Sequence, residues 1–133
     1  MQDNKALYSL LIVDDDPYNR AVILDCLHRL NGAFEIDEAQ NGEVALRLVK
    51  EKIAKTSKNF DVIIMDYQMP LLNGQATTQQ IRKLEESSGM KPADMSFIIT
   101  WSSAKSTPFI GADAVMSKPL IESELRTLLE MKI

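Results

Sequence analysis

Apolar residues in this chain gather in short unbroken runs: Leu10-Leu11-Ile12-Val13, Val62-Ile63-Ile64-Met65, Phe97 to Trp101 and Ala114-Val115-Met116. Continuous runs of this length, in place of alternation, are the pattern of strands in a parallel sheet covered on both faces. Between the runs the apolar period lengthens to that of a helix. Asp16 before Pro17 reads as an N-cap with proline in the first turn. It opens a helix to about Leu30 that buries Ile23, Leu27 and Leu30, and Gly32 ends it. Phe34 to Ala39 is a short second strand, and Asn41 caps a second helix that buries Ala45, Leu48 and Val49. A lysine-rich connection from Lys50 to Lys58 follows. Asn73-Gly74 is a turn signal before a third helix carrying Ile81 and Leu84. Glu85 to Asp94 reads as a polar loop, and a last helix buries Leu125, Leu128 and Leu129. Strands alternating with helices predict an α/β fold, a doubly wound parallel sheet of five strands. The expected organisation is an N-terminal tail, 1–8, and one domain, 9–133, with no residues left for a second.

Where the runs stop is chemically informative. The first breaks off into Asp14-Asp15-Asp16, the second into Asp66, the third into Ser102-Ser103 and the fourth just before Lys118-Pro119. Ligands of such sheets sit at the carboxyl ends of the strands. If the runs lie side by side, carboxylates, a hydroxyl and an ammonium converge on one crevice, which suits a divalent metal and a phosphoryl group. Carboxylates about 4 Å apart repel by up to ~4 kcal/mol per pair at an effective dielectric near 20. Asp14, Asp15 and Asp66 together therefore imply a cation. Asp16 is assigned to the helix cap, His28 to the surface and Cys26 to the core.

Composition narrows the partners. A net charge of −4 and a pI near 5.0 argue against nucleic acid or an anionic membrane as the main partner. The single cysteine excludes an internal disulfide and fits a reducing compartment. With no signal-peptide core and no apolar stretch of spanning length, the expectation is a cytoplasmic protein or a cytoplasmic piece of a larger one.

The segments L-L-I-V-D-D-D-P-Y-N-R, N-G-E-V-A-L, D-V-I-I-M-D-Y-Q-M-P-L-L-N-G, I-I-T-W-S-S and S-K-P-L, in this order, resemble the receiver domain of two-component response regulators. The likeness is greatest to receivers attached to hybrid histidine kinases and spans about Ser9 to Met131. It implies a flavodoxin-like fold in which Asp66 takes a phosphoryl group from a phosphohistidine. The donor would be a histidine kinase or a histidine phosphotransfer protein. The cofactor implied is Mg²⁺, held by Asp15 and Asp66 directly, by Asp14 through a water and by the backbone carbonyl of Gln68. Lys118 and the Ser102 hydroxyl would bind phosphoryl oxygens, with Ser103 a competitor for the second role. The resemblance further implies a cis peptide bond before Pro119. Signalling would follow by conformational change, with no chemistry beyond accepting and losing the phosphoryl group.

Two departures from the resembled pattern stand out. The position three residues before the lysine, usually Tyr or Phe, is Val115, so the usual aromatic switch is missing. Only 15 residues separate Ser102 from Lys118. A crossover with its helix needs at least ~10 to 12 residues beyond the strands. The fourth helix of the resembled fold should therefore be shortened or missing, with Lys105 to Ala112 holding no more than one turn. Trp101 is a candidate to fill the vacated space or else an ordinary core aromatic. Phe109 and Ile110 should form a self-packed loop or an exposed patch, making 103–112 a candidate surface for self-association. Two other readings compete: a degenerate receiver acting only as a binding module, and a haloacid-dehalogenase-like phosphatase, suggested by Asp14-x-Asp16 with a strand-end serine and a lysine.

Overall fold

A computed structural model describes residues 7–30, 32–67, 69, 73–103 and 109–132. Its strands are β1 (Tyr8–Val13), β2 (Phe34–Ala39), β3 (Val62–Asp66), β4 (Phe97–Ser102) and β5 (Ala114–Ser117). They form one sheet in the order β2-β1-β3-β4-β5, with every neighbouring pair parallel. The helices are α1 (Pro17–Arg29), α2 (Gly42–Thr56), α3 (Gly74–Ser87) and α4 (Glu122–Lys132). Because the chain steps from β1 to one side and then returns to add β3 on the other, the strand order reverses between β1 and β3. That reversal opens a crevice at their carboxyl ends.

The unbroken apolar runs are explained by helices on both faces. Leu10, Ile12, Val62, Ile64, Ile99 and Trp101 pack with Ile23 and Leu27 of α1 and Leu125 and Leu129 of α4. Their neighbours in sequence, among them Leu11, Val13, Ile63, Met65 and Ile98, turn to the other face and meet Ala45 and Val49 of α2 and Ile81 of α3. Side chains alternate across a strand, so a run with no polar member fills two cores at once.

Two boundaries differ from the sequence reading. The stretch read as a connection from Lys50 is helical through Thr56, since nothing in it breaks a helix. α2 ends only where Ser57 adopts φ 63°. α3 likewise continues through Ser87, so Glu85 is not in a polar loop and is fully buried. Its carboxylate accepts from Asn59 Nδ2 at 2.9 Å and Ser96 N at 2.8 Å, and pairs with Arg82 Nη1 at 2.7 Å. Burial of a charge is tolerable when it is paired and hydrogen-bonded in this way.

Among the described residues no helix lies between β4 and β5; 104–108, which include the first half of the 105–112 segment expected to hold at most one turn, fall outside them. The rest of the connection is held by α3. Gln75 accepts from Ile110 N at 3.0 Å and donates to its carbonyl at 3.3 Å, while Arg82 donates to Gly111 O at 2.8 Å and pairs with Asp113 at 2.9 Å. The two expectations for this segment divide between neighbours: Phe109 is buried in the core, and Ile110 is 75% exposed. Trp101 does not fill the vacated space. Alternation along β4 puts it on the same face as Ile99, against α1 and α4, and it is Phe109 that packs on the α3 side.

Candidate functional site

Asp14 and Asp15 follow β1 and Asp66 ends β3, so adjacent strands bring the three acids to the crevice; one carboxylate oxygen from each lies within 4.8 Å of the others. The first turn of α1 organises this side. Asp16 accepts from Tyr18 N at 2.9 Å as the N-cap, while its own N–H donates to Asp14 Oδ1 at 2.8 Å. Asn19 Nδ2 reaches Asp14 Oδ2 at 3.3 Å, and Arg20 Nη1 donates to the Asp14 carbonyl at 2.6 Å while its Nε meets Glu38 at 2.9 Å. Asp14 is thus fully buried and fixed in direction, and Asp15 remains exposed.

Lys118 enters from the end of β5. Its Nζ lies 2.8 Å from Asp66 Oδ1, 3.6 Å from Asp14 Oδ2 and 4.8 Å from the centre of the Trp101 ring. The Lys118–Pro119 peptide bond is cis. Burial pushes the carboxyls of Asp14 and Asp66 above their ordinary value of 3.8, more than the lysine and the local hydrogen bonds pull them down. The same burial disfavours the ammonium of Lys118, yet the hydrogen bond and charge of Asp66, joined by Asp14, outweigh it and hold its pKa above 10.5. Among the described residues three carboxylates face one ammonium, and the cluster is short of positive charge. Hard oxygen donors in that state fit Mg²⁺, which takes a few carboxylates and keeps several waters.

The remaining wall is built by β4 and α3. Asp66 is in register with Trp101, so Ser102 stands one residue beyond the acid's neighbour; it is buried, and its carbonyl accepts from Lys118 N at 2.8 Å. α3 is capped by Asn73, whose side chain accepts from Ala76 N at 2.8 Å. Gly74 permits the helix start to approach: a Cβ there would stand 2.3 Å from the Asp66 carbonyl oxygen and 2.6 Å from the Phe109 ring. Tyr67, next to the acid, stacks on Phe109 with ring centres 5.0 Å apart. Val115, in the place of the usual aromatic, is half-buried and in register with Thr100.

Of the residues singled out in the sequence, Asp14, Asp15, Asp66 and Lys118 meet directly. Gln68, expected to contribute a carbonyl, lies outside the described residues. Asp16 is committed to the helix start, which removes the Asp-x-Asp pair that the phosphatase reading requires. Asn19, Arg20 and Trp101 had no assigned role at this site. The Asn-Arg pair directly behind Pro17-Tyr18 was a usable signal, because one helical turn returns those side chains to the acids.

Residues 10–130 match the profile of the response regulator receiver domain. The chain belongs to the receiver family. This receiver is 33% identical over 132 residues to the two-component response regulator ORR41 of Oryza sativa subsp. japonica, covering 94% of each chain. It is 31% identical over 125 residues to hybrid signal transduction histidine kinase A of Dictyostelium discoideum, covering 90% of this chain but 5% of that protein. Among solved structures, the receiver domain of the histidine kinase CKI1 from Arabidopsis thaliana, complexed with Mg²⁺, superposes with a TM-score of 0.76 at 28% identity, over 93% of this chain and 90% of that one. No helix among the described residues is long and apolar enough to cross a membrane.

Proposed function

We propose that this receiver accepts a phosphoryl group on Asp66 from a phosphohistidine of a histidine kinase or a histidine phosphotransfer protein, and that it does so in the cytoplasm. The observation that carries the reading is the meeting of three carboxylates within 4.8 Å with Lys118 Nζ 2.8 Å from Asp66. Oδ of Asp66 attacks phosphorus, the bond from phosphorus to the donor imidazole breaks, and the released imidazole takes a proton from water. Attack by one anion on another is slow unless charge is neutralised and geometry is held.

Each residue has a part in that requirement. Asp14, Asp15 and Asp66, with the backbone carbonyl of Gln68, would hold Mg²⁺. The ion, when bound, supplies positive charge against the oxygens of the incoming group. Lys118 provides a second positive charge from the opposite strand, as a point charge on a flexible stem. The Ser102 hydroxyl donates to a phosphoryl oxygen. Asn19, Arg20 and the Asp16 N–H keep Asp14 aimed. The reducing cytoplasm agrees with a buried free Cys26 whose thiol is pushed up by burial and is therefore inert.

The test is phosphorylation by a small phosphodonor with Mg²⁺, read by intact mass. Wild type should gain one phosphoryl group, and Asp66→Asn should gain none, since an amide does not form the acyl phosphate. Equal labelling of the two proteins would overturn the assignment of Asp66.

A further inference from the structure

Lys118 has a partner that is neither an acid nor a phosphoryl oxygen. Its Nζ stands 4.8 Å from the centre of the Trp101 ring, and Trp101 is 2% exposed. Two more bonds tie the same residue to both halves of the site. Its indole N–H donates to the Ser117 carbonyl at 3.2 Å, holding the backbone just before Lys118. Its own carbonyl accepts from Tyr67 N at 2.9 Å, holding the backbone just after Asp66.

We infer that Trp101 is a positioning residue for Lys118: the indole face keeps the ammonium inside the crevice when Asp66 gives up its oxygen to phosphorylation. The inference rests on the reading of Lys118 as a phosphoryl-binding residue. Before reaction the ammonium has Asp66 at 2.8 Å and Asp14 at 3.6 Å. Once a cation or a phosphoryl group draws on those carboxylates, both partners weaken together. A ring face attracts an ammonium through its quadrupole without bearing a net charge, so its hold is not cancelled by that neutralisation. Indole offers the strongest face of the aromatic side chains, and here it is out of water, where the attraction is greatest. A leucine at this place would keep the site apolar but leave part of the core unfilled, and would supply neither face nor N–H.

The experiment compares wild type, Trp101→Phe and Trp101→Leu in acetyl phosphate labelling at saturating Mg²⁺, with the Mg²⁺ midpoint followed separately by thermal shift. Trp101→Leu should label about tenfold more slowly with its Mg²⁺ midpoint unmoved. Trp101→Phe, which keeps a ring face, should recover most of the rate. Labelling of Trp101→Leu at the wild-type rate would overturn the inference, as would equal slowing of both variants, with or without weakened Mg²⁺ binding. A second arm needs no variant at position 101. Trp101 is the chain's single tryptophan, so its emission should change as Mg²⁺ is titrated into wild type and stay constant in Lys118→Met. An unchanged wild-type emission at saturation, or the same change in Lys118→Met, would overturn it. Absence of any label on wild type would instead count against the reading of Asp66, and the emission arm would still decide the role of Trp101.

Discussion

Asp66 and Glu85 are both buried carboxylates in contact with a basic side chain, and they differ in what surrounds the pair. Glu85 collects Asn59 Nδ2, Ser96 N and Arg82. Asp66 must share Lys118 with Asp14, and Asp15 adds a further negative charge. The first cluster is complete and ties α3 to the start of β4. Among the described residues the second is left with excess negative charge, and burial makes that charge costly, which is why the carboxyls of Asp14 and Asp66 are raised. Paired burial satisfies its own charge, whereas unbalanced burial suits the cation and the anionic group proposed for this site.

The largest effect that separates the two clusters should come from Glu85→Ala. It leaves Arg82 with Asp113 and Gly111 O but removes the acceptor of two buried donors, Asn59 Nδ2 and Ser96 N, so it should cost ~3 kcal/mol and lower Tm on the order of 10 °C. The Mg²⁺ response should survive. Thermal denaturation with and without Mg²⁺ checks both, and a shift within error would mean that the Glu85 cluster does not stabilise the fold.

Next in size is the response of the other cluster. Mg²⁺ at about a hundred times its dissociation constant should add ~2.7 kcal/mol by binding only the folded state. Asp15→Ala should remove most of that increment. If the increment persisted in Asp15→Ala, the ion would be bound elsewhere.

Acid should erase the same increment. Asp14 and Asp66 have folded pKa values raised above 3.8, so in the metal-free protein their contribution to stability is fully present below 3.8 and is lost as pH rises through the folded values. Mg²⁺ requires both groups deprotonated and acts in the opposite sense. The gap in Tm between loaded and metal-free protein should therefore open as pH rises and begin closing, on acidification, above the ordinary carboxylate range. A gap constant down to pH 3.8 would contradict the direction of the shifts.

The smallest effect is Asp15→Ala without metal. Relief of repulsion should stabilise the protein by a few tenths of a kcal/mol, since Asp15 is exposed and its charge is screened. Destabilisation measured by urea unfolding would point to a structural partner of Asp15.

The strands, their parallel pairing and the convergence of Asp14, Asp15, Asp66 and Lys118 at one end of the sheet were legible in the chain, because unbroken apolar runs and the polar residues ending them are local features. The short link from Ser102 to Lys118 was legible by length alone. What local pattern did not determine is which face a residue enters and what meets it there. Glu85 looks like a loop acid until Asn59, Ser96 and Arg82, drawn from three separate segments, supply its partners. Phe109 and Ile110 have the same apolar character, yet one is buried beside Tyr67 and the other is exposed, a division that goes with the bonds of Phe109 N to Thr100 Oγ1 and of the Ile110 backbone to Gln75. Trp101 read equally well as core or as filler, and the parity of its place on β4 put it under Lys118. Hydrophobic pattern states that a side chain leaves water. Its neighbours follow from strand order and register, which join residues far apart in the chain and so exist only in the folded protein.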